Sequence, residues 1–337
     1  MTNVLPWHDA PWQQIQNRVM QNRLPHALLL SGPQGMGKAL FAQRLAENLL
    51  CEQPLADGQT CGHCKSCHLL LANTHPDLFK VEPVEAGKQI SVNQIRELIQ
   101  FSTLTASYNR HQIIIVHPAE AMNRNAANSL LKLLEEPSSD TVIMLVSHQY
   151  QALLATIRSR CQRIDFSHPD PTVTQTWLHN QLSAKINIQL LLNLSNQAPL
   201  AALALAQTDG MAKRQTLFES LTQLPTGKDD PIRIAESWNQ LEVVQVLEWM
   251  LLWTMDIIRY AITEQRHSIV NQDHQQTLQR LAKQFNPLEL FELLDLQTEA
   301  YRLIMGSTNV KPQGLLESIA IAWVKLGTTQ RRTACPR

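Results

Sequence analysis

Glycine is scarce in this sequence, with 11 among 337 residues, and low-complexity tracts are absent, which argues against long disordered regions. Neither sign of charge is in excess. The 29 Lys and Arg balance 29 Asp and Glu, and a zero formal charge argues against nucleic-acid binding by the chain alone, which usually needs a basic excess. Long apolar runs are lacking too: none reaches the roughly 18 residues of a membrane span, and residues 245–258 are interrupted by Glu248 and Asp256. The first eleven residues have no basic-then-apolar leader pattern. A soluble, cytoplasmic chain without a membrane partner is expected.

The length suggests two or three domains, each able to bury its own core. Short β-like runs at Ala27–Leu30, Leu78–Val81, Gln112–Val116, Thr141–Val146 and Arg163–Phe166 alternate with helical patterns. The helical patterns fall at Trp12–Asn22, Gly37–Leu50, Val92–Thr105, Asn125–Glu135 and Gln151–Ile157. Such alternation predicts a parallel sheet covered on both faces. After the punctuation His168-Pro169-Asp170-Pro171 the β signal stops. Residues 172–208 read as short helices and 212–329 as longer ones, broken at Pro225-Thr226-Gly227, Pro231, Pro287 and Lys311-Pro312. Trp238, Trp249, Trp253 and Trp323 are expected mainly as core residues, with contacts to partner subunits as the alternative.

The segment Gly32-Pro33-Gln34-Gly35-Met36-Gly37-Lys38-Ala39 follows the first strand and opens a helix, the setting in which backbone N–H groups cradle phosphate. It matches G-x-x-x-x-G-K-[ST] up to its last position. Lys38 retains the charge for the outer phosphates, but Ala39 has no hydroxyl to hold Mg²⁺. A second loss lies after the strand Gln112–Val116. His117 and Pro118 stand where an active nucleotide hydrolase places acidic residues, and Glu120 is three positions past the first of these. Its expected place is the next helix, from which it would need a distorted path to the metal. Together these losses predict a site that does not hydrolyse nucleotide.

Cys51, Cys61, Cys64 and Cys67 form C-x9-C-x2-C-x2-C directly after the phosphate-loop helix. Four thiolates can close a tetrahedral Zn²⁺ shell, and in a cytosolic chain such clustering favours metal over disulfides or unligated thiols. With no open position the zinc is expected to be structural. His63 or His68 could replace one thiolate, while Cys161 and Cys335 are remote.

The phosphate loop, the cysteine cluster, residues 126–137 (AANSLLKLLEEP) and residues 157–161 (IRSRC) resemble, in that order, the AAA+ clamp-loader subunits of bacterial replication. The likeness covers at least residues 1–208, and the helical remainder fits the collar by which such subunits assemble. It implies an α/β fold: an AAA+ P-loop parallel-sheet domain at 1–167 with a zinc module at 51–67. A small helical lid would follow at 168–210, an all-α collar at 211–330 and a tail at 331–337. It further implies that Arg160 of the Ser-Arg-Cys segment reaches a neighbour's ATP, with an internal ion pair as the alternative and Arg158 supporting the loop. Gly32, Gly35, Gly37 and Lys38 would form a degenerate phosphate loop, its ATP occupancy open. Residues 195–203, which resemble the lid helix where ATPase members often place a nucleotide-sensing arginine, contain none, and Ser147-His148 falls at a polar sensor position. The expected partners are ATPase subunits of the gamma/tau type, a delta subunit and, through the assembly, the sliding clamp and primed DNA.

The resemblance is closest to the member type that carries the fold and zinc module without hydrolysing ATP; any polymerase activity would belong to the larger holoenzyme. Two rival readings are an active ATPase motor subunit and a zinc-containing nucleic-acid-binding module on a dead P-loop fold. For the latter, Arg23, Arg110 and Arg124 could supply a local patch.

Overall fold

Five runs rich in Ile, Leu and Val form strands β1 (Ala27–Ser31), β2 (Leu78–Val81), β3 (Gln112–Val116), β4 (Thr141–Ser147) and β5 (Gln162–Asp165). This computed structural model describes residues 4–333 apart from 56–57, 86, 109–110, 138–139, 184–185, 228 and 307–309, so Arg110 and Cys335 lie outside the described residues. The strands pair in parallel in the order β2-β3-β4-β1-β5. This is the expected parallel sheet. Every residue of β1, β3 and β4 is buried, as required of parallel strands covered on both faces.

The period-two pleat divides these residues between two cores. Leu28, Leu30, Ile113, Met144 and Ile164 pack on one side with Trp12, Phe41 and Leu45. Leu29, Ile114, Val116, Ile143 and Leu145 pack on the other with Ile95, Leu98, Leu130 and Ile157. The helices supplying these faces are α1 (Asp9–Met20), α2 (Lys38–Leu50), α3 (Lys65–Leu71), α4 (Val92–Ser102), α5 (Arg124–Glu135) and α6 (Ala155–Arg158). Local capping starts two of them. Ser91 and Gln94 form a reciprocal capping box on α4, and Asn123 accepts from the Ala126 N–H at the start of α5.

The strands fall within a residue of their expected bounds. The stretch expected as a helix over 151–157 instead divides into a 3₁₀ turn, Tyr150–Ala152, and α6, because Leu153 and Leu154 adopt extended backbone angles. That conformation accompanies burial of Leu153, 5% exposed, in the second core. Helix α4 ends at Ser102, short of Thr105, where the hydroxyls of Ser102 and Thr103 donate to the Ile99 and Gln100 carbonyls.

The chain divides into two compact units, residues 1–177 with 198–201, and residues 178–197 with 202–337. Beyond β5 follow α7 (Pro171–Gln181), α8 (Ile188–Leu194), α9 (Pro199–Gln207), α10 (Gly210–Gln223), α11 (Pro231–Trp238), α12 (Val243–Thr263), α13 (Gln275–Gln284), α14 (Pro287–Met305) and α15 (Pro312–Thr333). In the second unit α12 packs on α13 and α14, and α15 on α11 and α14. Trp238, Trp249, Trp253 and Trp323 are all buried there. Gly327 of α15 has no room for a side chain: a Cβ would lie 2.1 Å from the Pro225 carbonyl oxygen. Among the described residues no single helix is long and apolar enough to cross a membrane.

Candidate functional site

Strand β1 delivers the chain to the phosphate loop, and α2 leaves it at Lys38. Gly35 and Gly37 both have φ of 80°, in the left-handed region, and Gly32 has φ of 147°. The loop is also tightly enclosed. A Cβ at Gly32 would meet the Phe166 carbonyl oxygen at 2.2 Å, and one at Gly35 the Ala201 methyl at 2.8 Å. The Lys38 ammonium donates to the Gly32 and Pro33 carbonyls at 2.6 and 2.5 Å. Burial lowers its pKa to about 8, against the opposing field of Glu120. The Met36 carbonyl accepts from Trp7 Nε1 at 3.0 Å and from His8 Nε2 at 2.8 Å, which places the His8 proton on Nε2. The Leu200 N–H donates to the Gly35 carbonyl at 3.1 Å. Ala198 and Ala201 thus meet the loop from the stretch that lacks arginine, and their methyl groups offer phosphate no donor.

Ala39 is the second residue of α2, and its methyl group offers a cation no ligand. At the end of β3 stand His117 and Pro118, joined by a cis peptide bond. Glu120 lies in a 3₁₀ turn, Ala119–Ala121, rather than in the following helix. It turns back toward β4: one carboxylate oxygen accepts from the His148 N–H at 2.8 Å, and the other is buried with no hydrogen-bond partner. The rings of His117 and His148 meet edge to face at 5.4 Å. Burial depresses both pKa values, that of His148 to about 4, so both imidazoles are neutral near pH 7. The Ser147 hydroxyl accepts from the Gln149 N–H and turns its strand end into the loop.

The four cysteines converge: the sulfurs of Cys51, Cys61, Cys64 and Cys67 all lie within 4.8 Å of one another. Backbone N–H groups point at three of the sulfurs, from Cys61 to Cys51, Cys64 to Cys61 and Cys67 to Cys64, at 3.3–3.4 Å. The second and third bonds wrap the chain tightly around the sulfurs at the start of α3. Neither His63 nor His68 belongs to the group, and the His63 ring donates to the Cys61 carbonyl instead. The His63 N–H holds the Cys61 thiol down at about 6, whereas burial pushes those of Cys51 and Cys67 up. A divalent cation would supply the charge needed to hold all four as thiolates. The donor set can therefore hold a metal ion.

Sequence reasoning missed what stands behind this knuckle. The Ser66 hydroxyl donates to the Leu50 carbonyl at 2.5 Å and lies 2.7 Å from His75 Nε2. His75 Nδ1 accepts from the Asp77 N–H, which leaves the proton on Nε2 and makes Ser66 an acceptor from it. The Asp77 carboxylate accepts from the N–H groups of Ser107 and Tyr108. Despite its residue types this is no nucleophile–base pair: the imidazole lone pair faces away from Ser66. The residues tie the ends of α2, α3 and β2 together.

Arg160 follows α6 in the same unit, one third of its side chain exposed. One terminal nitrogen lies 2.5 Å from a Glu135 carboxylate oxygen, and the other donates to the Thr156 carbonyl at 2.9 Å. Arg158 lies over the Tyr150 ring at 4.9 Å, as does Arg163 at 4.3 Å. Burial raises the Cys161 thiol to about 12, leaving it an unreactive packing residue. Arg23 and Arg124 are exposed.

Residues 7–170 match the family described as DNA polymerase III, delta subunit, and residues 208–325 the one described as DNA polymerase III, delta subunit, C terminal. The chain is 36% identical to DNA polymerase III subunit delta′ of Pseudomonas aeruginosa over 97% of its length and 99% of that protein. It is 29% identical to the subunit of the same name from Escherichia coli K12, over 94% of each. Among solved structures, a DNA polymerase III gamma subunit-related protein of Thermotoga maritima aligns with 93% of this chain and 99% of that one, at 17% identity and a TM-score of 0.48. Near-complete coverage at this identity establishes descent: the chain belongs to the DNA polymerase III delta′ subunit family.

Proposed function

We propose that this chain works in the replicative clamp loader as a subunit that does not hydrolyse ATP and that lends Arg160 to a neighbouring ATPase subunit. The observation that carries the reading is the end of β3. His117 and Pro118 occupy the place of the metal-holding acids there, both nearby imidazoles are neutral, and Ala39 removes the remaining metal ligand. Phosphoryl transfer depends on a cation bridging the phosphates. The cradle of Gly32, Gly35, Gly37 and Lys38 retains donors for phosphate without the means to polarise it.

Arg160 complements this disabled site. A guanidinium stays charged and offers a fixed fork of donors to phosphate oxygens. Its side chain is one third exposed, which supports a reading in which it reaches a γ-phosphate in a neighbour. Cys51, Cys61, Cys64 and Cys67 would hold one zinc whose role is to fix the 51–67 segment. Residues 168–210 would form a lid and 211–330 a collar, joining the chain to gamma/tau-type and delta subunits. Contact with the sliding clamp and primed DNA would come through that assembly.

One observation favours a second reading, an active ATPase. Glu120 is near enough for its charge to raise the Lys38 pKa and leaves one buried carboxylate oxygen unpartnered, and it could stand in for a missing metal ligand. Turnover of MgATP by the purified chain separates the two. The first reading predicts none above background. Hydrolysis that is lost in Glu120→Gln would overturn it in favour of the second.

A further inference from the structure

Glu135 is the last residue of α5, where the helix dipole and the adjacent Glu136 both disfavour a carboxylate. The cation that offsets them is Arg160, held across 25 residues of sequence by the 2.5 Å ion pair. A second bond, from the other terminal nitrogen to the Thr156 carbonyl, comes from the preceding helix turn. Two points on separate elements therefore fix the plane of the guanidinium, with a longer contact from the second nitrogen to the Ser159 hydroxyl at 3.5 Å, and the N–H groups not used in these contacts face an incoming acceptor. With 33% of the Arg160 side chain and 49% of the Glu135 side chain exposed, neither partner is locked away in the core.

We propose that Glu135 is a positioning residue for Arg160: it holds the guanidinium in the orientation from which its free N–H edge meets the neighbour's γ-phosphate. The proposal rests on the trans role of Arg160 argued above. A flexible arginine must lose rotamer freedom when it engages phosphate; the Glu135 and Thr156 contacts remove part of that freedom beforehand. A solvent-exposed pair contributes little to folding, so the effect falls on turnover in the assembly rather than on stability.

The test uses a reconstituted loader whose other ATP sites are inactivated, so that clamp- and primed-DNA-stimulated hydrolysis reports the site served by this chain. Wild type, Glu135→Gln, Arg160→Ala and the double variant are compared. Glu135→Gln should lower kcat by up to about fivefold, leave the KM for ATP unchanged, and preserve assembly. In the Arg160→Ala background it should have no further effect, the non-additivity expected of residues that act through one another. Glu135→Asp should recover part of the rate. Normal kcat in Glu135→Gln, or an equal fall in both backgrounds, overturns the positioning role alone. Normal turnover in Arg160→Ala removes the trans role, and this proposal with it.

Discussion

His274 shows how a single buried imidazole ties stability to pH. It stacks on Phe218 at 3.7 Å, and its Nε2 lies 3.3 Å from an Arg214 terminal nitrogen, so it accepts there in the neutral form. Arg214, 1% exposed, is also bound by Asp273 and Asn271. Burial is the main cause that lowers the His274 pKa to about 4; Arg214 adds to it, and Asp273 and Glu219 oppose it. The folded chain therefore binds this proton more weakly than the unfolded chain, whose value is near 6.5. The stabilisation is complete above about pH 6.5 and is lost as pH falls toward 4, with a slope of up to about 1.4 kcal/mol per pH unit. Denaturation midpoints across that window should show a shallower slope for His274→Gln than for wild type; identical slopes would contradict the assignment. None of this was legible in the sequence, because Arg214 and His274 are sixty positions apart and only the fold joins them. Ala39 and His117 were legible because their positions follow directly from a loop and a strand with recognisable patterns.

At the scale of elements, the segment from Cys51 to α3 is the part that a bound metal ion would stabilise most directly. The sulfurs form its small core, joined by backbone N–H bonds to sulfur at 3.3–3.4 Å. Metal-binding energy there would be folding energy. The account predicts one zinc per purified chain by elemental analysis. Cys64→Ser, which also removes the sulfur that caps α3, should lose that zinc and lower the thermal midpoint. A metal-free chain of unchanged stability would refute a structural zinc. The cysteine spacing exposed this module in the sequence, but helix α3 within it was not anticipated. Seven residues are too few for hydrophobic periodicity to register. The opposite error occurred at 151–157, where a helical pattern yielded to burial of Leu153. The sheet was read almost to the residue, because continuously apolar strands between helices admit few other interpretations.

For the whole molecule, the proposed function separates a place that would lack the means for nucleotide chemistry from a place that would assist it in a neighbour. The first is the junction of β1, β3 and β4, where imidazoles and a methyl group stand in place of metal ligands. The second is the partly exposed Arg160 after α6. The sequence motifs suggested both, but the ion pair to Glu135 was visible only in the folded chain, since residues 135 and 160 lie on different elements. The most direct test of the central claim is stimulated ATP turnover in the reconstituted loader at the site completed by this chain, wild type against Arg160→Ala. The account predicts a fall on the order of 10³-fold at that site with assembly intact. Undiminished turnover would contradict it and leave Arg160 as one half of an internal ion pair.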